Sequence, residues 1–315
     1  MSTTPAAVAV EQRPGGADPL GAGPSTSVSA RAKTMLSSRV GSAVAVVIAV
    51  LWTVPVVGLL VSSIRPAADI RTSGWWTFFT EPTFTLENYQ EVLFGRASSG
   101  ELANFFVNSV VITVPATIVP LVVATMAAYA FSVLQWRGRD TLFVVVFALQ
   151  IVPLQMSLIP LLRIFANSWA LETFPYLAVW VAHSCFAMPL AVFLLHNFMS
   201  EVPRELIEAA RVDGAGHVTV FLRVMLPLLV PAIASFAIFQ FLWVWNDLLV
   251  GLTFTGGNNE VQPLTARLAE MAGSRGQDWH LLTAGAFVSI VIPLIVFLAL
   301  QRYFVRGLLA GSVKG

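Results

Sequence analysis

Charges leave six long gaps in this chain, and the gaps decide what it can fold into. Val40–Ile64, Leu102–Trp136, Thr141–Leu162, Thr173–Ser200, Val224–Asn246 and Trp279–Gln301 contain no Asp, Glu, Lys or Arg. A helix needs about 20 apolar residues to cross the hydrocarbon of a bilayer, and each gap is long enough. Open strands cannot satisfy their backbone in lipid, so helices are the expected element. The chain reads as an all-α membrane protein of six transmembrane helices, the fifth able to continue past Asp247 to Phe254. Composition agrees. The chain is 57% hydrophobic and 11% charged, against about 45–50% and about 25% in soluble domains.

The first gap begins about forty residues in, too late and too long for the apolar region of a cleaved signal, so it reads as a retained anchor. Residues 1–38 are rich in Ala, Pro, Gly and Ser and read as a disordered tail. Residues 39–315 form the membrane domain. With the N-terminus inside, twelve basic residues fall on inner segments and six on outer ones, which predicts both termini in the cytoplasm. The net charge of +1 gives no footprint for nucleic acid. The lone Cys185 excludes a disulfide framework. The outer segment 64–101 carries Trp75, Trp76, Phe78 and Phe79, which suit either an aromatic belt at the lipid interface or a lip for an external partner. Gly256 and Gly257 predict a turn in a second outer loop.

Few groups could carry chemistry. No G-x-x-x-x-G-K-[ST] loop is present, so the chain is not expected to bind ATP by that route. His183, His196, His217 and His280 show no ligand clustering, and neither a cofactor nor catalytic residues are expected. Asp247 is the most unusual residue, since an ionisable group in a span is a functional candidate. It could line a solute path with Trp245 and Asn246, the indole stacking on a sugar face. It could equally sit near the outer water and pair with an arginine. Gln150 could face a wet cavity. Asn104 and Asn108 read as polar glue between helices. Eight prolines, from Pro115 to Pro293, can kink the spans.

The segment "SEVPRELIEAARVDGAGHVTVFLRVMLP" from Ser200 stands between the fourth and fifth gaps. Pro203 suits a helix start, and Glu201, Glu205 and Glu208 suit its positive end. Leu206, Ile207 and Ala210 form a short apolar stripe. Asp213-Gly214 should stop the helix, and a new one should begin near Ala215. On residues alone this is either a solvated elbow or a docking helix.

Glu208-Ala209-Ala210, then Gly214, then Val224-Met225-Leu226-Pro227 resembles the EAA loop of ABC-importer permeases. Asp213-Gly214-Ala215 and Phe221 are similar to its carbohydrate branch, of the maltose-type smaller permease. "SSIRP", "PTFTLENYQEVL", "WNDLLVGLTF" and "QRYFVRGLLAGSVKG" agree, and the resemblance covers roughly Val40 to Gly315. It implies the type I ABC-importer permease fold and a loop at about 200–223 that docks on an ATP-binding subunit dimer. Glu208, Ala209, Ala210, Asp213 and Gly214 would form the joint, and Lys314 would reach towards the same subunits. It also implies a second permease subunit, an extracellular solute-binding protein and a sugar, possible α-glucosides among them, imported across the cytoplasmic membrane. Three other readings stand beside it: a proton-coupled secondary transporter using Asp247, an intramembrane enzyme, for which no paired carboxylates, Ser–His arrangement or metal-spaced histidines appear in the spans, and an ABC permease for a polyol or glycerol phosphate.

Overall fold

The computed structural model describes residues 39–95, 102–166, 174–273 and 278–310, and helices are its only regular elements among them. In chain order they are α1 (Arg39–Ser63), α2 (Ala67–Thr72), α3 (Glu87–Phe94), α4 (Leu102–Ser132), α5 (Arg139–Ala148) and α6 (Leu154–Ala166). Then come α7 (Leu177–Ser200), α8 (Arg204–Val212), α9 (Leu226–Trp245), α10 (Leu249–Thr255), α11 (Leu264–Ala272) and α12 (Trp279–Ala310). The tail 1–38 and Lys314 lie outside the described residues.

The chain forms two compact units, divided between Val56 and Val57. The described part of the first is the helical stretch from Arg39. Val44, Val47, Leu51 and Trp52 are all exposed on it. Apolar residues around the whole circumference suit a lipid environment.

Within the second unit, α4, α7, α9 with its lead-in from His217, and α12 are long and apolar enough to cross a membrane, as α1 is in its full length. The third expected span is not one rod. α5 with its 3-10 extension Leu149–Ile151 meets α6 at a bend of 102°. Pro153 explains the break. It has no N–H to give, and it drives the preceding residue out of the α region. Val152 accordingly sits at φ −69°, ψ 121°. The fifth span also stops early: α9 ends at Trp245, and the helix restarts as α10 after Asn246–Leu248.

The core is built on α4 against α7. Ala124 and Ala128 meet Ala187 and Ala191 there, all buried. Small residues let two backbones approach closely where no hydrophobic force separates helix from lipid.

Prolines inside the spans expose carbonyls, and neighbouring helices cover three of them. Pro115, Pro120 and Pro293 cannot donate to the residues four before them, Val111, Ala116 and Ser289. Trp180 Nε1 of α7 donates to the Val111 carbonyl at 3.0 Å. Gln240 Nε2 of α9 donates to the Ala116 carbonyl at 3.2 Å. Trp245 Nε1 of α9 donates to the Ser289 carbonyl at 3.0 Å. Each kink is thereby a bolt between two helices, in a medium that would leave the carbonyl unpaired.

The segment between α1 and α4 folds around Arg65, which is 3% exposed. Its guanidinium donates to the Gly74 carbonyl (2.9 Å), Ser73 Oγ (2.9 Å) and Thr77 Oγ1 (3.1 Å). Asn88 Nδ2 donates to the carbonyls of Ser63 and Arg65. Trp76 and Phe79 stand exposed on this frame, while Trp75 packs over Gly58. Gly256 and Gly257 adopt positive φ, as a turn there requires. Asn108 is buried and does act as glue, donating to the carbonyls of Glu260 and Gln262 and accepting from Tyr176 at 2.8 Å. Asn104 does not: one turn earlier on α4, it is exposed.

Candidate functional site

Two regions hold the residues singled out from the sequence. The first is the elbow formed by α8. Pro203 precedes it, Glu205 lies in its first turn, and Asp213-Gly214 ends it. Gly214 has φ +84°, a conformation that costs a residue with a Cβ about 1–2 kcal/mol. Its N–H bonds to the Arg211 carbonyl (3.0 Å) and that of Ala215 to the Ala210 carbonyl (2.9 Å), closing the helix end.

The two faces of α8 differ. Ile207, Ala210 and Ala215 pack against the core. Glu208, Ala209, Asp213 and Gly214 are exposed, and so are two apolar side chains, Leu206 and Val212, the latter at 87%. Tyr129 of α4 fastens the elbow from below. Its ring stands edge-on to His217 and Phe221, and its hydroxyl donates to the His217 carbonyl at 3.3 Å. The helix resumes at His217 rather than Ala215, because Gly216 is extended. It passes through a π-helical segment, Val220–Met225, before Leu226-Pro227. The elbow is thus held on one face by the core, with an apolar tip and with Ala209 and Gly214 among charged residues on its exposed side.

The second region is the broken span. A groove of about 720 Å³ opens between the α5–α6 bend, α7 and α9. Gln150 lines it from the 3-10 turn, with Pro153 and Ser157 beside it, Cys185 and Pro189 from α7, and Trp243 from α9. Among the described residues, no Asp, Glu, Lys, Arg or His lines it.

The other three path residues are not in the groove. Trp245 is 3% exposed, stacked on Phe241 and edge-on to Phe106, with its N–H committed to Ser289. It has no open face for a sugar, so the stacking expectation is corrected. Asn246 is exposed, and its amide donates to the Leu242 carbonyl at 2.8 Å, closing the end of α9. Asp247 caps α10: its Oδ2 accepts the Gly251 N–H at 2.9 Å. The nearest basic group is His183 Nε2 at 3.8 Å rather than an arginine.

Nothing in the sequence marks Trp243 for the groove. Two residues from Trp245, it lies about 200° round the helix, so one indole faces α12 while the other borders the groove. Only the placement of neighbouring helices tells them apart.

Residues 120–309 match a family model described as the binding-protein-dependent transport system inner membrane component. The chain belongs to this family. The match takes in the whole elbow, α9 and all but the last residue of α12. The permease is 53% identical over 271 residues to the osmoprotective compounds uptake permease protein GgtD of Synechocystis sp., covering 85% of this chain and 89% of that one. It is 51% identical over 244 residues to the α-glucoside transport system permease protein AglG of Rhizobium meliloti, covering 76% and 63%. Its fold matches a chain of a bacterial ABC transporter involved in the import of the acidic polysaccharide alginate, with TM-score 0.68 and 19% identity over 88% of this chain and 98% of that one.

The permease is therefore a multi-pass component of the cytoplasmic membrane with the type I importer fold. It is the non-catalytic subunit, ATP hydrolysis belonging to a separate chain. That energy source removes the need for Asp247 as a proton carrier, and the carboxylate already serves as a helix cap.

Proposed function

We propose that this permease translocates a neutral sugar, of the α-glucoside class, driven by an ATP-binding subunit dimer that grips α8. Both termini and α8 lie on the cytoplasmic side. A solute-binding protein delivers the sugar from outside, and a second permease subunit completes the path. The relative named for α-glucoside transport supports a glycoside. The lining of the groove supports it too, since its described residues include no cation to receive an acid or a glycerol phosphate.

The observation that carries this reading is the elbow. Val212 projects 87% exposed at the end of a helix whose other face is locked into the core. An apolar tip on a rigid mount is suited to insertion into another protein. The test uses Val212→Cys in a Cys185→Ala background. A membrane-impermeant thiol reagent should reach it only in inside-out vesicles, and a bifunctional reagent should cross-link it to the ATP-binding subunit. Labelling from the outside, or no cross-link in the assembled transporter, would end the proposal.

A further inference from the structure

Prolines in this bundle free carbonyls, and three of the freed carbonyls are taken by side chains of other helices. A fourth is not. Pro189 of α7 cannot donate to the carbonyl of Cys185, and no side chain among the described residues donates to it. Cys185 and Pro189 both line the groove at the broken span, so the freed carbonyl lies on that face.

Three more polar groups border the same groove without a partner among the described residues. The Ser157 hydroxyl makes no hydrogen bond, whereas Thr125, Ser132, Ser235 and Thr253 all return to their own helices four residues back. The Gln150 amide is exposed and unengaged at the break. Trp243 keeps its indole N–H free. Its one ring contact is with buried His183, at 6.0 Å and 84°, which steadies the indole from the side. Trp180 and Trp245, by contrast, have spent theirs on carbonyls.

The rest of the wall is apolar, including Pro160 and Phe186. The volume of about 720 Å³ falls within the about 300–1,000 Å³ of small-molecule sites. An acyl chain would leave four hydrogen-bonding groups unanswered in an apolar wall, which is costly. An acidic solute would find no cation. A pyranose answers both needs, with C–H faces for an aromatic ring and hydroxyls that donate and accept. Irregular backbone at membrane depth also needs protein or water beside it, and Val152–Pro153 finds it here.

We infer that the groove is a glycoside-binding subsite within this chain. Trp243 is its stacking platform, and Gln150, Ser157 and the Cys185 carbonyl are its hydroxyl partners. The inference rests on the reading of the chain as a sugar permease.

The test uses the complete transporter in proteoliposomes, with labelled trehalose and sucrose as neutral α-glucoside probes. Cys185 is exposed and is this chain's one cysteine, so its modification by a methanethiosulfonate reagent, read on its own peptide, reports occupancy. Trehalose should slow that modification several-fold. Gln150→Leu and Trp243→Leu should each lower uptake about tenfold, the loss of roughly one good contact. Stimulation of ATP hydrolysis by the loaded binding protein should persist, which a merely unfolded variant would not show. Trp243→Phe and Ser157→Ala are milder and should change the trehalose-to-sucrose ratio while the bundle stays intact.

Unchanged uptake and ratio in all four variants, with labelling indifferent to sugar, would overturn the subsite while leaving sugar transport standing. Failure of the reagent to reach Cys185 without sugar would mean lipid or another chain fills the groove, and would overturn it as well. If the unaltered transporter imports neither probe nor any other neutral glycoside, the sugar reading falls and the subsite with it.

Discussion

The indole N–H of Trp245 reaches the carbonyl of Ser289 across 3.0 Å, and that carbonyl is available because Pro293 has no N–H. A donor on α9 thus repairs a defect made by a proline on α12. Trp245→Phe should cost about 1–3 kcal/mol, the penalty for an unpaired buried carbonyl. In the double variant with Pro293→Ala, the helix supplies its own donor again and much of the loss should return. Thermal unfolding of the four proteins in detergent reads this as a double-mutant cycle. Strict additivity would mean that the two residues act separately.

Gly214 is held by its backbone, not by crowding. A Cβ there would meet nothing within 4 Å, yet φ is +84°. Gly214→Ala should cost about 1–2 kcal/mol at the elbow, and Gly214→Val more. Insertion and assembly should survive, and transport-coupled ATP hydrolysis should be lost in the valine variant. Wild-type coupling in that variant would count against α8 as the lever.

Asp247 contributes a cap. Asp247→Asn keeps an oxygen for the Gly251 N–H and should leave ATP-driven uptake near normal and insensitive to a protonophore. Asp247→Ala removes the acceptor and should destabilise α10 by about 0.5–2 kcal/mol. Uptake that collapses in the asparagine variant would restore a charge-based role for the residue.

Arg65 ties three acceptors with one planar head. Lysine cannot reproduce that fork. Arg65→Lys should loosen the segment around Gly74 and Thr77 and raise its susceptibility to limited proteolysis, while the spans stay resistant. Equal proteolysis of the two proteins would show the fork to be dispensable.

The sequence reveals this fold wherever the physics is local. Charge gaps locate the helices, and Asp213-Gly214 marks the end of α8 because few other pairs stop a helix so cheaply. The role of Asp247 was not legible: in an unbroken apolar run it reads as a path residue or an arginine partner, and only the restart of the helix at Leu249 makes it the acceptor of the Gly251 N–H. What escaped depends on neighbours. Pro153 breaks its span, whereas Pro115, Pro120 and Pro293 sit inside continuous helices, and nothing in an apolar run separates the two outcomes. Asn104 and Asn108 are one turn apart, yet only Asn108 meets the segment around Glu260–Gln262. On α9, apolar residues surround the helix, so no stripe tells which tryptophan faces the groove.

The 102° bend at Val152–Pro153 bears on what one copy of this chain amounts to. Each arm is a stub of about 15–20 Å, shorter than the roughly 30 Å of oil it sits in. Neither spans the membrane alone, and irregular backbone at the corner has no place against acyl tails. On the proposed function, a second permease subunit would be the wall that covers this corner.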